Sequence, residues 1–120
     1  MFNTVIINDN ANYFKEITSL ISQNKELNLI ANYENPIRCL TELKKDKREL
    51  KVVIMTTNIM GYSGLEVAKQ IHHLDKKIKI IFIADNHDYA VEAFDVGAFD
   101  YLLWPVEEKR FRETINRLEE

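Results

Sequence analysis

Cysteine, proline and glycine are scarce in this 120-residue sequence, which has one, two and three of them respectively. The single cysteine, Cys39, cannot form an internal disulfide, so we expect a reducing, cytoplasmic setting. Neither a CxxC nor an HExxH motif is present, and we expect no structural metal site. The longest apolar runs, at residues 5–7, 52–55 and 80–84, are far shorter than the roughly 20 residues that span a bilayer. We therefore expect no membrane partner.

Basic residues do not outnumber acidic ones, since 16 Lys and Arg stand against 19 Asp and Glu, a formal net charge of −3. Domains that bind nucleic acid over a large surface are usually basic, so we expect no nucleic acid bound by this domain itself. The hydrophobic share of 46% is ordinary for a globular protein and too high for a disordered one. The length fits one domain over residues 1–120.

Short apolar runs alternate with segments of helical period along the chain. The runs predict five strands, at residues 4–7, 27–33, 52–55, 79–83 and 100–103. Five helices are predicted from apolar stripes, which include Phe14 and Ile17 in the first, Ile37 and Leu40 in the second, Leu65 and Ala68 in the third, and Phe111 and Ile115 in the last. This alternation indicates an α/β protein whose sheet is covered on both faces.

Local signals mark several helix and loop boundaries. The Asn-Pro pair at residues 35–36 predicts an N-cap and a proline at the first helical position, and the basic run 44–48 ends that helix. Residues 56–63 are predicted as a loop. A short helix over residues 89–96 is closed by Gly97, a common helix C-terminal residue.

Functional sites in such folds lie at the carboxyl ends of the strands. The residues at these ends are the Asn-Asp-Asn triplet 8–10 and the pairs 56–57, 84–85 and 104–105. The triplet has two interpretations: a cap on the first helix, or a cap that also keeps a weak cation contact through Asp9. These four positions are where the sequence has to be compared with known sites.

Two segments carry a family resemblance. TTNIMGYSGLE at residues 56–66 resembles the D-x-x-M-P-G-M-S-G-L-E signature of response-regulator receiver domains, the CheY-like family. HDYAVEAFDVGAFDYLLWP at residues 87–105 is similar to the corresponding stretch of receivers that precede LytTR-type DNA-binding domains. The resemblance implies a flavodoxin-like, five-stranded parallel sheet of order 2-1-3-4-5 with five flanking helices. It also implies that a DNA-binding domain follows, in a transcription regulator.

The resemblance fails where receivers do their chemistry. Receivers use two acidic residues to hold Mg²⁺, an acceptor Asp, a Ser or Thr, and a Lys. The matching positions here, which we call the degenerate acceptor pocket, hold Asn8 and Asp9, Thr56, Ala84 and Trp104.

A neutral hydroxyl needs an adjacent base to act as a nucleophile, and Mg²⁺ usually requires carboxylates together with phosphate. We therefore predict a phosphorylation-independent domain that is not an enzyme, has no cofactor and has no histidine kinase as its partner.

Two alternatives stay open at this stage. The chain could be a phosphotransfer-competent receiver served by a histidine kinase. It could also be a ligand-sensing module that uses the pocket, because Ala84, Trp104 and Met60 offer an apolar lining. Trp104 itself has two interpretations, as a core-completing residue or as a plug whose indole N–H reaches Thr56 or Asp9.

Receivers commonly pair through the face made by their fourth helix, fifth strand and fifth helix. Here that face combines acidic and basic side chains, which suits a two-fold homodimer or another protein partner: Glu92, Asp95 and Asp100, and Lys109, Arg110, Arg112 and Arg117. Tyr101 occupies the position at which receivers carry an aromatic switch residue. It is either an inward, mobile ring or a static aromatic residue of the strand.

Overall fold

The computed structural model describes residues 1–45 and 49–119, so residues 46–48 of the expected basic helix end lie outside the described residues. The strands are β1 (Phe2–Ile7), β2 (Leu27–Tyr33), β3 (Leu50–Thr56), β4 (Asn58–Ile59), β5 (Tyr62–Ser63), β6 (Lys79–Ala84) and β7 (Asp100–Leu103). The helices are α1 (Ala11–Ser22), α2 (Pro36–Lys45), α3 (Gly64–Leu74), α4 (Ala90–Asp95) and α5 (Glu108–Leu118). Over the described ranges, no helix has the length and apolar character needed to cross a membrane.

Five parallel strands form the main sheet in the order β2-β1-β3-β6-β7. β6 and β7 are the fourth and fifth strands of this sheet, so the predicted order 2-1-3-4-5 is confirmed. Every connection between parallel strands must cross over the sheet, and the five helices make these crossovers or close the chain. All strand carboxyl ends therefore meet at one edge of the sheet.

The two faces of the sheet carry separate cores. Alternate residues of one strand enter different cores: Val53 and Met55 of β3 pack toward α2, α3 and α4, whereas Val52 and Ile54 pack toward α1 and α5. Because neighbouring strand residues point to opposite faces, a run that is buried on both faces is continuously apolar. This explains why the third strand is visible in the sequence as an unbroken apolar run.

Two residues of the predicted apolar stripes lie outside the cores. Phe14 of α1 is 36% exposed and Ile37 of α2 is 42% exposed, because the buried residues begin only at Ile17 in α1 and, after Pro36, at Cys39 in α2. Cys39 itself is buried, and burial raises the pKa of its thiol to about 12. The second helix begins as predicted, since the Asn35 side chain accepts a hydrogen bond from the Ile37 N–H at 2.9 Å.

The expected loop over residues 56–63 is wrong in part, because it contains the antiparallel hairpin β4–β5. Its two central residues, Met60 and Gly61, have φ values of 53° and 80°. A two-residue hairpin turn favours positive φ at both positions, which glycine adopts freely and methionine rarely. The hairpin places Met60, which is 54% exposed, at its tip.

Candidate functional site

The degenerate acceptor pocket lies at the carboxyl edge of the sheet. Asn8 and Asp9 follow β1, Thr56 ends β3, Ala84 ends β6 and Trp104 follows β7. Asn8, Thr56 and Ala84 are buried, Trp104 is half-buried and Asp9 is exposed. The structure thus brings the ends of four strands to one place, as the parallel topology requires.

Asn8 and Asn10 form a self-contained capping turn. The Asn8 side chain donates to the Asn10 carbonyl at 2.7 Å and accepts from the Asn10 N–H at 3.1 Å. Asn10 is the N-cap of α1, and its side chain accepts from Asn12 N–H at 2.9 Å and Tyr13 N–H at 3.1 Å. The capping interpretation is confirmed, and Asn10 is the capping residue. The Asn8 amide is consequently committed to the backbone.

Asp9 is held by the hairpin. Its Oδ2 accepts a hydrogen bond of 2.9 Å from the backbone N–H of Met60. The described residues contain no group of three or more His, Cys, Asp or Glu side chains arranged to hold a metal ion. Mg²⁺ takes oxygen ligands in a near-octahedral arrangement, and one carboxylate beside a committed amide does not provide it. The residues present therefore do not fit the divalent cation of phospho-receivers.

Thr56 is 6% exposed, and its Oγ1 donates to the Asn58 carbonyl at 3.4 Å. The start of α3 lies directly against it, because a Cβ atom on Gly64 would come within 2.2 Å of the Thr56 carbonyl oxygen. Gly64 N–H also donates to the Thr57 carbonyl at 2.8 Å. Glycine at this position thus allows the close approach of helix and strand end.

Trp104 packs on Tyr13 of α1, with ring centroids 4.3 Å apart and planes inclined by 38°. Its backbone N–H donates to the Ala84 carbonyl at 2.8 Å. Within the described chain the indole N–H bonds neither Thr56 nor Asp9, so the plug interpretation is wrong in that detail. Trp104 instead packs against the core on the α1 and α5 face.

Tyr13 is the residue of this edge that the sequence reasoning missed. Its hydroxyl donates a hydrogen bond to Oδ1 of Asp85, the residue after Ala84. The pKa of Tyr13 is raised to about 12, mainly by burial and further by the hydrogen bond to Asp85 and the negative charge of Asp85. The only available signal was an aromatic residue in the first turn of a helix that begins at the site. Tyr13 thereby links α1 to the loops that follow β6 and β7.

Tyr101 is directed inward. It is 8% exposed, and its hydroxyl donates to the Asn86 carbonyl at 2.8 Å. Its ring centroid lies 6.3 Å from that of Phe82, and burial raises the pKa of its hydroxyl. The ring therefore fastens the β6–α4 loop to β7, while its role as a switch stays a prediction.

Asp100 is the centre of a network on the α4–β7–α5 face. It is 4% exposed and accepts from both terminal nitrogens of Arg110, at 2.9 and 3.0 Å. Thr114 Oγ1, Arg117 Nη1 and the Tyr101 N–H donate to it at 2.7, 3.1 and 2.8 Å. Burial favours the neutral acid, but the hydrogen bonds from Arg110 and Thr114 outweigh it and lower the Asp100 pKa.

The remaining charges of the expected interface are divided. Glu92 and Asp95 of α4 are exposed and remain on this face. Arg112 does not, because it pairs with Glu26 and donates to Asn24 Oδ1 at 2.9 Å. Side chains of residues i and i+2 on an α-helix point about 200° apart. Arg112 therefore points away from the side of α5 that Arg110 occupies. The hydrogen bond from Arg112 lowers the Glu26 pKa to about 2.

Apolar side chains are also exposed on this face. Val91 is 71% exposed, Phe94 50% and Leu103 36%. Large exposed apolar residues that lie together mark interaction surfaces more often than scattered ones do. The face therefore combines exposed apolar groups with partly satisfied charges.

Comparisons with known proteins agree with this geometry. A model of the response regulator receiver domain family matches residues 4–116. The sensory transduction protein LytT of Oceanobacillus iheyensis is 34% identical over 87% of this chain and 42% of its own length. An uncharacterized response regulatory protein of Vibrio vulnificus is 31% identical over 98% of this chain and 48% of its own length. The transcriptional regulatory protein YpdB of Escherichia coli is 27% identical over 96% of this chain.

Solved structures give the same result. The response regulatory domain of protein mrkE from Klebsiella pneumoniae has a TM-score of 0.88 and 25% identity, covering 98% of this chain and 95% of that domain. A response regulator receiver domain protein from Clostridium thermocellum has a TM-score of 0.80 at 20% identity, over 99% of this chain and 98% of that one, which compares the fold alone. The chain spans about half the length of the curated relatives it matches.

Proposed function

Because this chain belongs to the response regulator receiver family, we propose that it is a regulatory domain of two-component-type signalling that works without phosphorylation. The observation that carries the proposal is the state of the degenerate acceptor pocket. Thr56 replaces the acceptor carboxylate, and the nearby acids Asp9 and Asp85 are each bonded by a neutral donor of the chain itself. The proposed domain is not an enzyme, and its setting is the cytoplasm.

Phosphoryl transfer needs groups that this edge lacks among its described residues. The Thr56 hydroxyl bonds a backbone carbonyl, and a hydroxyl nucleophile needs a base that takes its proton. Transfer also relies on cations that stabilise the charge of the moving group. Trp104 stands at the lysine position and is packed on Tyr13, so it supplies no positive charge.

The decisive experiment is incubation with acetyl phosphate and Mg²⁺, followed by intact-mass measurement. We expect no mass increase for the natural chain. We also expect none for Thr56→Asp, because restoring the carboxylate restores neither the cation site nor the lysine. A phosphorylated adduct that Thr56→Ala abolishes would establish the phosphotransfer alternative instead.

We infer that the output is protein–protein interaction through the α4–β7–α5 face, with a second copy as the expected partner. Exposed Val91 and Leu103 supply apolar contact, and Glu92 and Asp95 can meet Lys109 and the exposed parts of the arginines across a two-fold axis. Asp100 is already neutralised within the chain, so it contributes to the shape of this face more than to pairing charge.

Analytical ultracentrifugation tests this dimer. Val91→Asp should shift the chain toward monomer, because it buries a charge in the apolar contact. Ile37→Asp, which changes an exposed apolar residue of α2, is the matched control and should leave association unchanged. Equal association of both variants and the natural chain would contradict the proposed face.

The relatives suggest a place for the domain in a longer protein. YpdB is a transcriptional regulatory protein of which this chain matches 46% of the length. We propose that the chain is the N-terminal part of a transcription regulator whose other half binds DNA. Sequencing the reading frame beyond Glu120 tests this, and a frame without a second domain would reject it. Ligand sensing by the pocket has less support, since Tyr13 and Trp104 pack together at this edge.

A further inference from the structure

A groove between α3 and the end of α4 stands apart from the degenerate acceptor pocket and shares Phe94 and Asp95 with the α4–β7–α5 face. It has a volume of about 570 Å³, and its lining includes Leu74, Phe94 and Val96 together with Lys44, Lys69 and Lys76. We propose that this groove binds an acidic amphipathic helix of a partner protein. The inference rests on the proposed function, since it names a second partner surface of the same interaction domain.

The floor of the groove is apolar and partly open to solvent. Phe94 is 50% exposed, and Leu74 and Val96 are half-buried. Phe94 lies in the last turn of the short helix α4, and the Gly97 N–H donates to the Phe94 carbonyl at 3.1 Å. An exposed aromatic residue beside two half-buried aliphatic ones is the kind of surface that accepts an apolar side chain from a partner.

The floor is held in place by close packing of α3 against Gly97, two residues after the end of α4. Gly97 has a φ of +96°, and a Cβ atom there would come within 2.8 Å of the His72 ring. The His72 Nδ1 atom is buried and has no hydrogen-bond partner among the described residues. Glycine therefore lets the imidazole pack on the backbone, and the groove is formed without a partner.

The rim is positive. Lys69 and His73 are four residues apart on α3 and therefore lie on one side of that helix, and Lys76 lies in the turn after it. Lys44 lines the groove from α2. None of these three lysines has a carboxylate partner within residues 1–45 and 49–119.

Two acids, Glu66 and Asp95, also line the groove. Glu66 lies in the first turn of α3, where a carboxylate suits the helix dipole.

An apolar floor with a cationic rim selects the class of partner. A helix that inserts apolar side chains at i, i+3, i+4 and i+7 fits an open groove along another helix, and acidic residues on its flanks would meet the lysines. A basic helix would be repelled at the same rim. Exposed charge pairs are individually weak, so the lysines determine which partner binds more than how tightly it binds.

The test is an NMR titration of the ¹⁵N-labelled chain with a synthetic helical peptide carrying leucine at i, i+3, i+4 and i+7 and glutamate elsewhere. Amide shifts should change along the second half of α3 and around Phe94 to Gly97. The double variant Lys69→Glu/Lys76→Glu should weaken binding about tenfold or more, because attraction becomes repulsion at two positions. Lys15→Glu/Lys25→Glu changes the net charge equally at two exposed lysines away from the groove, and should bind like the natural chain.

Several results would overturn the inference: shifts confined to another surface, equal losses in both double variants, or equal binding of a peptide with lysine in place of glutamate. No binding of any peptide would also overturn it. The readout separates the two proposals. If acetyl phosphate modifies the chain and the peptide still binds, only the proposed function is rejected. If acetyl phosphate does not modify the chain and the peptide does not bind, only the proposal for the groove is rejected.

Discussion

Two regions of the molecule hold carboxylates in contrasting ways. At the carboxyl edge, Asp9 and Asp85 are exposed, and each accepts from one neutral donor, the Met60 N–H and the Tyr13 hydroxyl. On the α4–β7–α5 face, Asp100 is buried and receives two arginines, a hydroxyl and an N–H. A buried carboxylate needs cations and several donors, whereas an exposed one does not.

This difference between the two regions shows that, within the described chain, the positively charged side chains of these regions lie beside Asp100 and not at the carboxyl edge. Receivers use a lysine at the carboxyl edge, and this chain has Trp104 there. Two arginines of α5, Arg110 and Arg117, instead pair with Asp100 and secure the edge strand β7. The carboxyl edge is thus occupied by the Tyr13–Trp104 contact, whereas the ionic network stabilises the α4–β7–α5 face.

Removing the buried acid should have the largest effect. Asp100→Ala leaves Arg110 and Arg117 without their shared partner and should lower the free energy of unfolding by about 3 kcal/mol. Urea denaturation measures this change. Asp95→Ala, an exposed acid on the same face, should change stability by less than about 0.5 kcal/mol. Similar losses for both variants would remove the contrast between buried and exposed carboxylates.

Truncating the aromatic pair at the carboxyl edge should have the next largest effect. Trp104→Ala removes a half-buried ring from its contact with Tyr13 and should cost about 2 kcal/mol, less than a fully buried tryptophan. Circular dichroism during urea denaturation gives the value. Tyr89→Ala, which truncates a half-exposed ring in the loop before α4, is the comparison. A Trp104 variant as stable as the natural chain would mean that the edge is not closed by packing.

Acid should act mainly on the Asp100 network. The pKa of Asp100 is lowered in the folded state, so its contribution is complete above the unfolded value of about 3.9 and is lost as pH falls through the folded value. The natural chain should lose stability below about pH 4 more steeply than Asp100→Asn. Parallel curves from unfolding experiments at several pH values would show that Asp100 is not the responsible group.

Alkali should act on the carboxyl edge, with the smallest effect. Tyr13→Phe removes one exposed hydrogen bond and should cost about 0.5–1 kcal/mol at neutral pH. Because the Tyr13 pKa is raised from 10.0 to about 12, its contribution is present below pH 10 and disappears as pH rises toward 12. The difference between natural and variant chains should shrink across that range. A constant difference would contradict the Tyr13–Asp85 bond.

The strands and their order could be predicted because burial on two faces leaves an unmistakable pattern. Val52 to Met55 are all apolar since each face of β3 is covered, and the family resemblance supplied the order of the strands. Phe14 and Ile37 were misplaced because apolar spacing locates a helix face but not where along the helix the core begins. The hairpin was not predicted, because methionine rarely adopts the positive φ that Met60 has in the turn.

The site could be predicted in its composition but not in its contacts. Thr56, Ala84 and Trp104 lie at the carboxyl edge of the sheet, as expected of residues at the ends of parallel strands, and their role in a degenerate acceptor pocket stays a prediction. The hydrogen bond between Tyr13 and Asp85 joins residues 72 positions apart, so no local sequence pattern predicts it. In the same way, charge alone did not reveal that Arg110 and Arg117 satisfy an acid of their own chain, or that Arg112 turns to Glu26.

Trp104 is the sole tryptophan of the chain. Its indole lies against Tyr13, at the meeting point of the loops after β6 and β7. The tryptophan fluorescence of the unlabelled protein therefore has a single, known origin. Any event that rearranges this edge can be followed optically in real time, with no dye attached and no background from a second emitter of the same kind.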